Sequence, residues 1–259
     1  MDPPDPSAAM VPRRASPTFS REVRAMFGRI VPRYSLFNHL TTGGTDLLWR
    51  PRALWEVDRL LEAPPRRILD LGSGPGDLTY LLAEHYPRAR VVAMDFTPAM
   101  VRQGEEARAR SRASTRVSFA SADALHLPLR SGSVDLVTSA FLIRNIPPLE
   151  EAFREMARVL RPRGVVLALE ITEPIPPWFR SLFHTYFDEV MPRFGALLGL
   201  AESSRYLSDS LRHFPSRDRV EGILAAAGFP EVRSRPQSLG IVTSFLGRRG
   251  PGPVAARDG

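Results

Sequence analysis

A chain of 259 residues, 43% of them apolar, is long enough for one large domain with a core of its own. The absence of cysteine excludes disulfides, thiolate metal sites and any mechanism that needs a cysteine nucleophile. The net charge of +7 comes wholly from arginine, since the chain holds no lysine, and the arginines are scattered as on a solvated surface, so no nucleic-acid partner is expected.

Residues 1–18 carry prolines at 3, 4, 6, 12 and 17 and read as a disordered N-terminus. A helical pattern starts at Phe19, with Val23, Met26, Phe27 and Ile30 on one face, and Pro32 interrupts it. An aromatic-rich segment follows from Tyr34 to Trp49, broken by Gly43 and Gly44. Residues 19–62 are therefore either a helical lid or a helix packed on the sheet behind them. Strand patterns come next at Arg67–Leu71, Arg90–Asp95, Val117–Ala120, Val134–Ala140 and Val165–Ile171. Most are near-continuous apolar runs, as parallel strands covered on both faces require. Thr97 and Pro98 mark a helix start, as N-cap and first helical residue. Leu149, Ala152, Phe153, Met156, Val159 and Leu160 fall at helical spacing before a stop at Pro162–Gly164. The alternation predicts a parallel α/β sheet.

From 174 to 212 the pattern changes to a helical insertion. Trp178, Phe179, Leu182, Phe183, Tyr186, Phe187, Val190 and Met191 form an aromatic stripe there, either core or the wall of an apolar substrate pocket. A helix from about Ser216 to Ala227, stopped by Gly228, leads to runs at Glu231–Arg235 and Gly240–Leu246, predicted to pair as a hairpin. Residues 19–249 thus make one domain, and 250–259 read as a flexible tail. No run of eighteen apolar residues appears and the N-terminus lacks a secretory h-region, so a cytoplasmic protein is expected. No cluster has metal-ligand spacing.

Arg67–Gly76 is the stretch that carries chemistry. Glycines at 72, 74 and 76 let the chain turn sharply and let a ligand lie against bare backbone, in front of a helix whose N–H groups point into the turn. A dinucleotide fingerprint would space its glycines G-x-G-x-x-G. Here the spacing is G-x-G-x-G, with Asp70 two residues ahead. Asp95 ends the second strand, where a carboxylate can accept both ribose hydroxyls, and Asp123 follows the third. This set resembles motif I of the class I S-adenosylmethionine-dependent methyltransferases. The resemblance implies a Rossmann-like, seven-stranded, mostly parallel sheet with one antiparallel strand and helices on both faces. It also implies S-adenosylmethionine held by Asp70, Gly72, Ser73, Gly74, Pro75, Asp95, Asp123, Ala124 and Ala140.

The segments Met26–Asn38, Leu48-Trp49-Arg50, Ala140–Asn145, Ala168-Leu169-Glu170, Val190-Met191-Pro192, Tyr206-Leu207, Ser210-Leu211 and Phe214-Pro215 narrow the resemblance to the ubiquinone/menaquinone-biosynthesis C-methyltransferases. The chain departs from that pattern at Ser35, Asp46, Pro75, Ala140 and Arg163. What the resemblance implies is methyl transfer to a ring carbon of a prenylated quinol, demethylmenaquinol first. Another small apolar acceptor, phenolic or polyketide-like, is the alternative. Arg144 would stabilise developing oxygen charge and Asn145 orient the ring or the cofactor. Asp46, Glu170, His184, Tyr186 and Tyr206 are all candidates for a general base. A lipophilic quinol implies transient membrane contact, through the Trp178–Met191 stripe and its neighbours Arg180 and Arg193, on the inner face of the membrane. A homodimer is compatible with this reading.

Overall fold

The computed structural model describes Thr42, residues 44–197 and residues 201–252. The expectations for the N-terminal segment up to 41 and for 253–259 lie outside the described residues. Helix α1 (Asp46–Asp58) precedes an alternating series: β1 (Arg67–Leu71), α2 (Asp77–His85), β2 (Arg90–Asp95), α3 (Pro98–Arg108), β3 (Val117–Ser121), β4 (Val134–Ala140), α4 (Leu149–Val159) and β5 (Leu160–Ile171). The insertion then folds as α5 (Pro177–Thr185), a π-helical turn (Tyr186–Val190), α6 (Met191–Leu197) and α7 (Ala201–Arg212). Helix α8 (Arg217–Ala226) and strands β6 (Glu231–Gln237) and β7 (Val242–Arg248) complete the fold.

The sheet runs β3-β2-β1-β4-β5-β7-β6. Every strand is parallel to its neighbours except β7, which is antiparallel to both β5 and β6. Successive side chains of a strand face opposite ways, so a continuous apolar run fills two cores. Along β5, Val166 and Ala168 join Phe153 and Met156 of α4 and Val220 and Leu224 of α8. Val165, Leu167 and Leu169 join Trp49, Ala53, Leu54 and Val57 of α1 and Leu78 and Leu82 of α2. Helix α1 thus packs on the sheet. Its Trp49 indole N–H donates to the Ser238 hydroxyl at 2.8 Å, and the Gln237 amide donates back to Trp49 O at 3.2 Å.

The structure departs from the sequence reading at several points. The helix α4 ends at Val159 and β5 begins at Leu160, not Val165, because the chain stays paired through a bulge between Val134↔Leu160 and Leu136↔Val165. Arg163 is left-handed there (φ 65°), and a Cβ on Gly164 would lie 2.9 Å from Arg161 O. The tight bend therefore needs the glycine that reads as a stop. Strands β6 and β7 each extend two residues beyond the expected C-terminal ends, and β7 starts two residues later, with the turn displaced to residues 238–241. The aromatic stripe divides: Phe183 and Met191 are buried, whereas Trp178 and Leu182 are 70% and 59% exposed. No helix among the described residues is long and apolar enough to cross a membrane.

Candidate active site

The carboxyl ends of β1, β2 and β4 form one crevice. Gly72 and Ser73 N–H both donate to Met94 O, at 2.7 and 3.1 Å, which ties the glycine turn to the end of β2. Gly72, Gly74 and Gly76 have φ of 65°, 55° and 106°, the left-handed region that favours glycine. Gly74 N–H donates to Asp95 Oδ2 at 2.9 Å and Thr97 N–H to Asp95 Oδ1 at 2.7 Å. Burial pushes the Asp95 carboxyl upward in spite of those two N–H donors. Ala122 N–H donates to Asp95 O at 3.1 Å, so the loop with Asp123 and Ala124 reaches the same edge. Asp123 also caps its own turn, accepting from Leu125 N–H at 2.9 Å, with His126 Nδ1 3.8 Å away. Thr97 sits at the start of α3 with Pro98 at the first helical position, but its hydroxyl makes no cap bond.

Asp70 is brought beneath the turn, 1% exposed. Its oxygens accept the hydroxyls of Thr79 (2.6 Å) and Thr138 (2.9 Å). Gly72 and Pro75, half-buried, are what the turn presents above it. Burial pushes the Asp70 carboxyl from 3.8 up to about 6, against the pull of both hydroxyls and of Arg50. The folded state therefore holds this proton more tightly than the unfolded chain does. Between roughly pH 4 and 6 the unfolded state has already released it, so stability falls as pH rises, by about 3 kcal/mol in all, and stays at the lower value above pH 6. Asp70→Asn should abolish that slope. The difference in Tm between variant and parent is expected to move in the variant's favour from pH 4 to pH 7, and a constant difference would refute the assignment.

The opposite wall begins where β4 ends. Ala140 is the last residue of β4, half-buried over the core of α1 and α2. Phe141 follows in the left-handed region (φ 59°), a strained conformation for a bulky residue. Its N–H donates to Leu169 O at 2.7 Å, and its ring lies edge-on to Trp49 with the Arg50 guanidinium 5.6 Å from its centroid. This bend lays Leu142 across the glycine turn: a Cβ on Gly72 would be 2.6 Å from Leu142 Cδ1. A single 3-10 turn, Ile143–Asn145, then carries Arg144 and Asn145. The Arg144 guanidinium pairs with the Glu170 carboxylate, which is 0% exposed, and Arg144 N–H donates to the second Glu170 oxygen at 3.2 Å. Asn145 Oδ1 accepts the Tyr206 hydroxyl at 2.8 Å.

The structure therefore brings Gly72–Pro75, Asp95, Ala140, Arg144 and Asn145 to one edge, with Asp123 and Ala124 at its far end and Asp70 as a buried support. The candidate bases separate. Asp46 is buried in an ion pair with Arg50 (3.3 Å) and accepts from Thr42, and Glu170 is committed to Arg144. His184 lies 3.4 Å from Glu173, and burial raises Tyr186. Tyr206 donates to Asn145. Sequence reasoning missed Thr79, Thr138, Leu142 and Phe96. The last had a signal: it follows the strand-end acid, and it is a large apolar residue left 39% exposed.

The cofactor implied by the resemblance fits these residues. The glycine turn keeps left-handed backbone at 72, 74 and 76 with no Cβ to hold a ligand off, and Asp95 offers acceptor oxygens already aligned by two N–H groups. A model of the ubiE/COQ5 methyltransferase family matches residues 16–249. A demethylmenaquinone methyltransferase of Thermus thermophilus is 42% identical over 228 residues, covering 86% of this chain and 100% of that one. A ubiquinone/menaquinone biosynthesis C-methyltransferase UbiE of Geobacter sp. (strain M21) is 36% identical, covering 88% and 96%. Among solved structures, a SAM-dependent methyltransferase from Aquifex aeolicus has a TM-score of 0.57 at 17% identity, over 83% of this chain and 97% of that one, a likeness of fold alone.

Proposed function

Since the chain belongs to the ubiE/COQ5 methyltransferase family, and is an S-adenosylmethionine-dependent methyltransferase, we propose that its acceptor is a ring carbon of a prenylated quinol, demethylmenaquinol, in quinone biosynthesis. The observation that carries the reading is Leu142 lying over Gly72. Through it the glycine turn and the Arg144–Asn145 turn become two walls of one crevice.

S-adenosylmethionine, when bound, supplies a methyl group on a positively charged sulfur. Asp95 would take the ribose hydroxyls, because its carboxylate is fixed by Gly74 and Thr97 N–H with acceptor capacity to spare. Gly72, Ser73, Gly74 and Pro75 would lie along the amino-acid end, and Asp123, Ala124 and Phe96 beside the base. A quinol carbon becomes nucleophilic as its ring hydroxyl loses a proton. Arg144, fixed by Glu170, would hold the resulting oxygen charge. Asn145 would orient the ring.

A prenylated acceptor is bilayer-resident, which gives the exposed apolar face of α5 a partner. Ile175, Trp178 and Leu182 stand out of the protein beside Leu239 of the β6–β7 turn, whose carbonyl accepts Ile175 N–H at 2.9 Å. Arg180 and Arg193, exposed and paired with Glu173 and Glu189, would meet anionic headgroups. Calorimetry is expected to show one S-adenosylhomocysteine bound per chain, and labelled methyl to move onto demethylmenaquinol presented in anionic vesicles. Transfer only to a tail-less phenol would overturn the acceptor and spare the cofactor. Trp178→Ser with Leu182→Ser should cut co-flotation with those vesicles several-fold at unchanged S-adenosylhomocysteine affinity; undiminished flotation removes the membrane contact.

A further inference from the structure

Arg144 and Asn145 are adjacent, but their side chains are held by different parts of the fold. Arg144 is held by Glu170, a residue of β5 and so of the sheet itself. Asn145 is held at one end by the backbone that follows β4 and at the other from outside the sheet. Its Nδ2 donates to Phe141 O at 3.4 Å, and since a carbonyl can only accept, that contact settles which end of the amide faces Phe141. The amide oxygen is left to the other side, where it accepts the hydroxyl of Tyr206, 61 residues on in α7.

Helix α7 is itself seated by specific contacts. The Ser208 hydroxyl donates to Phe187 O at 2.5 Å, within the π-helical turn, and Arg212 Nη2 meets Asp188 Oδ2 at 2.6 Å. Such turns displace carbonyls from the regular ladder, and here a hydroxyl from α7 meets one of them. Ser208 and Leu211 also line a cavity of about 430 Å³, together with Phe183, Phe187 and Phe214. Whatever shifts α7 against this cavity shifts Tyr206.

We propose that Tyr206 is a positioning residue: its hydroxyl sets the Asn145 amide and makes that setting depend on the seating of α7. The insertion thereby governs one of the two side chains of the Arg144–Asn145 turn, while the sheet governs the other. The inference rests on the reading of that turn as the acceptor side of the site.

Tyr206→Phe keeps the ring and removes the hydroxyl. It is expected to lower kcat on demethylmenaquinol about five- to tenfold, the equivalent of one net hydrogen bond. KM for the quinol, the affinity for S-adenosylhomocysteine and the shape of the pH–rate profile should hold. In an Asn145→Ala background the same substitution should cost nothing further. An equal loss in both backgrounds, or a lost limb of the pH profile, overturns the proposal, because the hydroxyl would then act on its own. So does an unchanged kcat. A second readout needs no turnover: the Asn145 side-chain amide NMR signals, identified by their loss in Asn145→Ala, should shift in Tyr206→Phe. If they shift in a protein that methylates no quinol, the positioning role stands and the functional reading falls. If they do not shift, the positioning role falls.

Discussion

Replacing Arg144 by alanine is expected to lower turnover on a quinol about 10²–10³-fold and to destabilise the fold by about 3–5 kcal/mol, with cofactor affinity nearly intact. The two losses have separate causes. Glu170 is fully buried, and its carboxylate accepts from the Arg144 guanidinium, from Arg144 N–H and, at 2.9 Å, from Ile171 N–H. Without the guanidinium a buried negative charge keeps only backbone donors. Adding Glu170→Gln removes that charge, so the double variant should regain most of the lost Tm in thermal melts. It should regain none of the turnover if Arg144 holds the acceptor's oxygen charge as proposed, since that cation is still missing. Turnover that returns together with stability would mean that Arg144 serves only as a counter-charge for Glu170.

Gly72→Ala is expected to weaken S-adenosylhomocysteine binding at least tenfold in calorimetry, and quinol turnover with it. An L-residue at φ 65° costs about 1–2 kcal/mol in backbone strain. The new Cβ would also stand 2.6 and 2.7 Å from the two Leu142 methyl carbons. Leu142 leads through Ile143 into Arg144 and Asn145, so a shift of its backbone to relieve the clash would disturb that turn. Leu142→Ala in addition should restore part of the affinity, leaving the strain. Parental affinity in Gly72→Ala would mean that the cofactor does not approach this backbone.

Features of the fold encoded by local pattern were legible in the sequence. Apolar runs placed most of the strands, the hairpin predicted after Gly228 is the β6–β7 pair, and the glycine spacing marked the crevice. A bend that imitates a stop was not legible. Pro162, Arg163 and Gly164 read as a helix terminator, while the structure keeps them within β5 by a left-handed arginine at the bulge. Nor could periodicity alone say which side of the 178–191 stripe is covered: Trp178 and Leu182, one turn apart, share the exposed face of α5, while Phe183 lies on its buried face. The site followed the same logic. Asp70 and Asp95 were found by position, but only the three-dimensional placement of Thr79 and Thr138 shows that one carboxylate is a buried support and the other is at the mouth. The Asn145–Tyr206 contact joins residues 61 apart through an insertion with no regular register to the sheet, so no spacing rule announces it.

The position of β7 has a consequence for synthesis on the ribosome. It is translated after β6 yet lies between β5 and β6, so the nascent sheet cannot be finished in the order in which it emerges. After Ile171 leaves, about 70 residues, or roughly 4–14 s at ordinary elongation rates, pass before Val242 appears. Through that interval β5, with Val165 to Leu169 apolar throughout, presents an open edge of the kind that recruits other strands. The insertion and α8 are made during the same interval, and α8 packs over part of the β5 face, shielding its side chains while its hydrogen-bonding groups await β7. Trp49 waits longer still, since the Ser238 that holds its indole is 189 residues downstream. Translation that halts before the hairpin would leave the first described helix and the central sheet unfinished together.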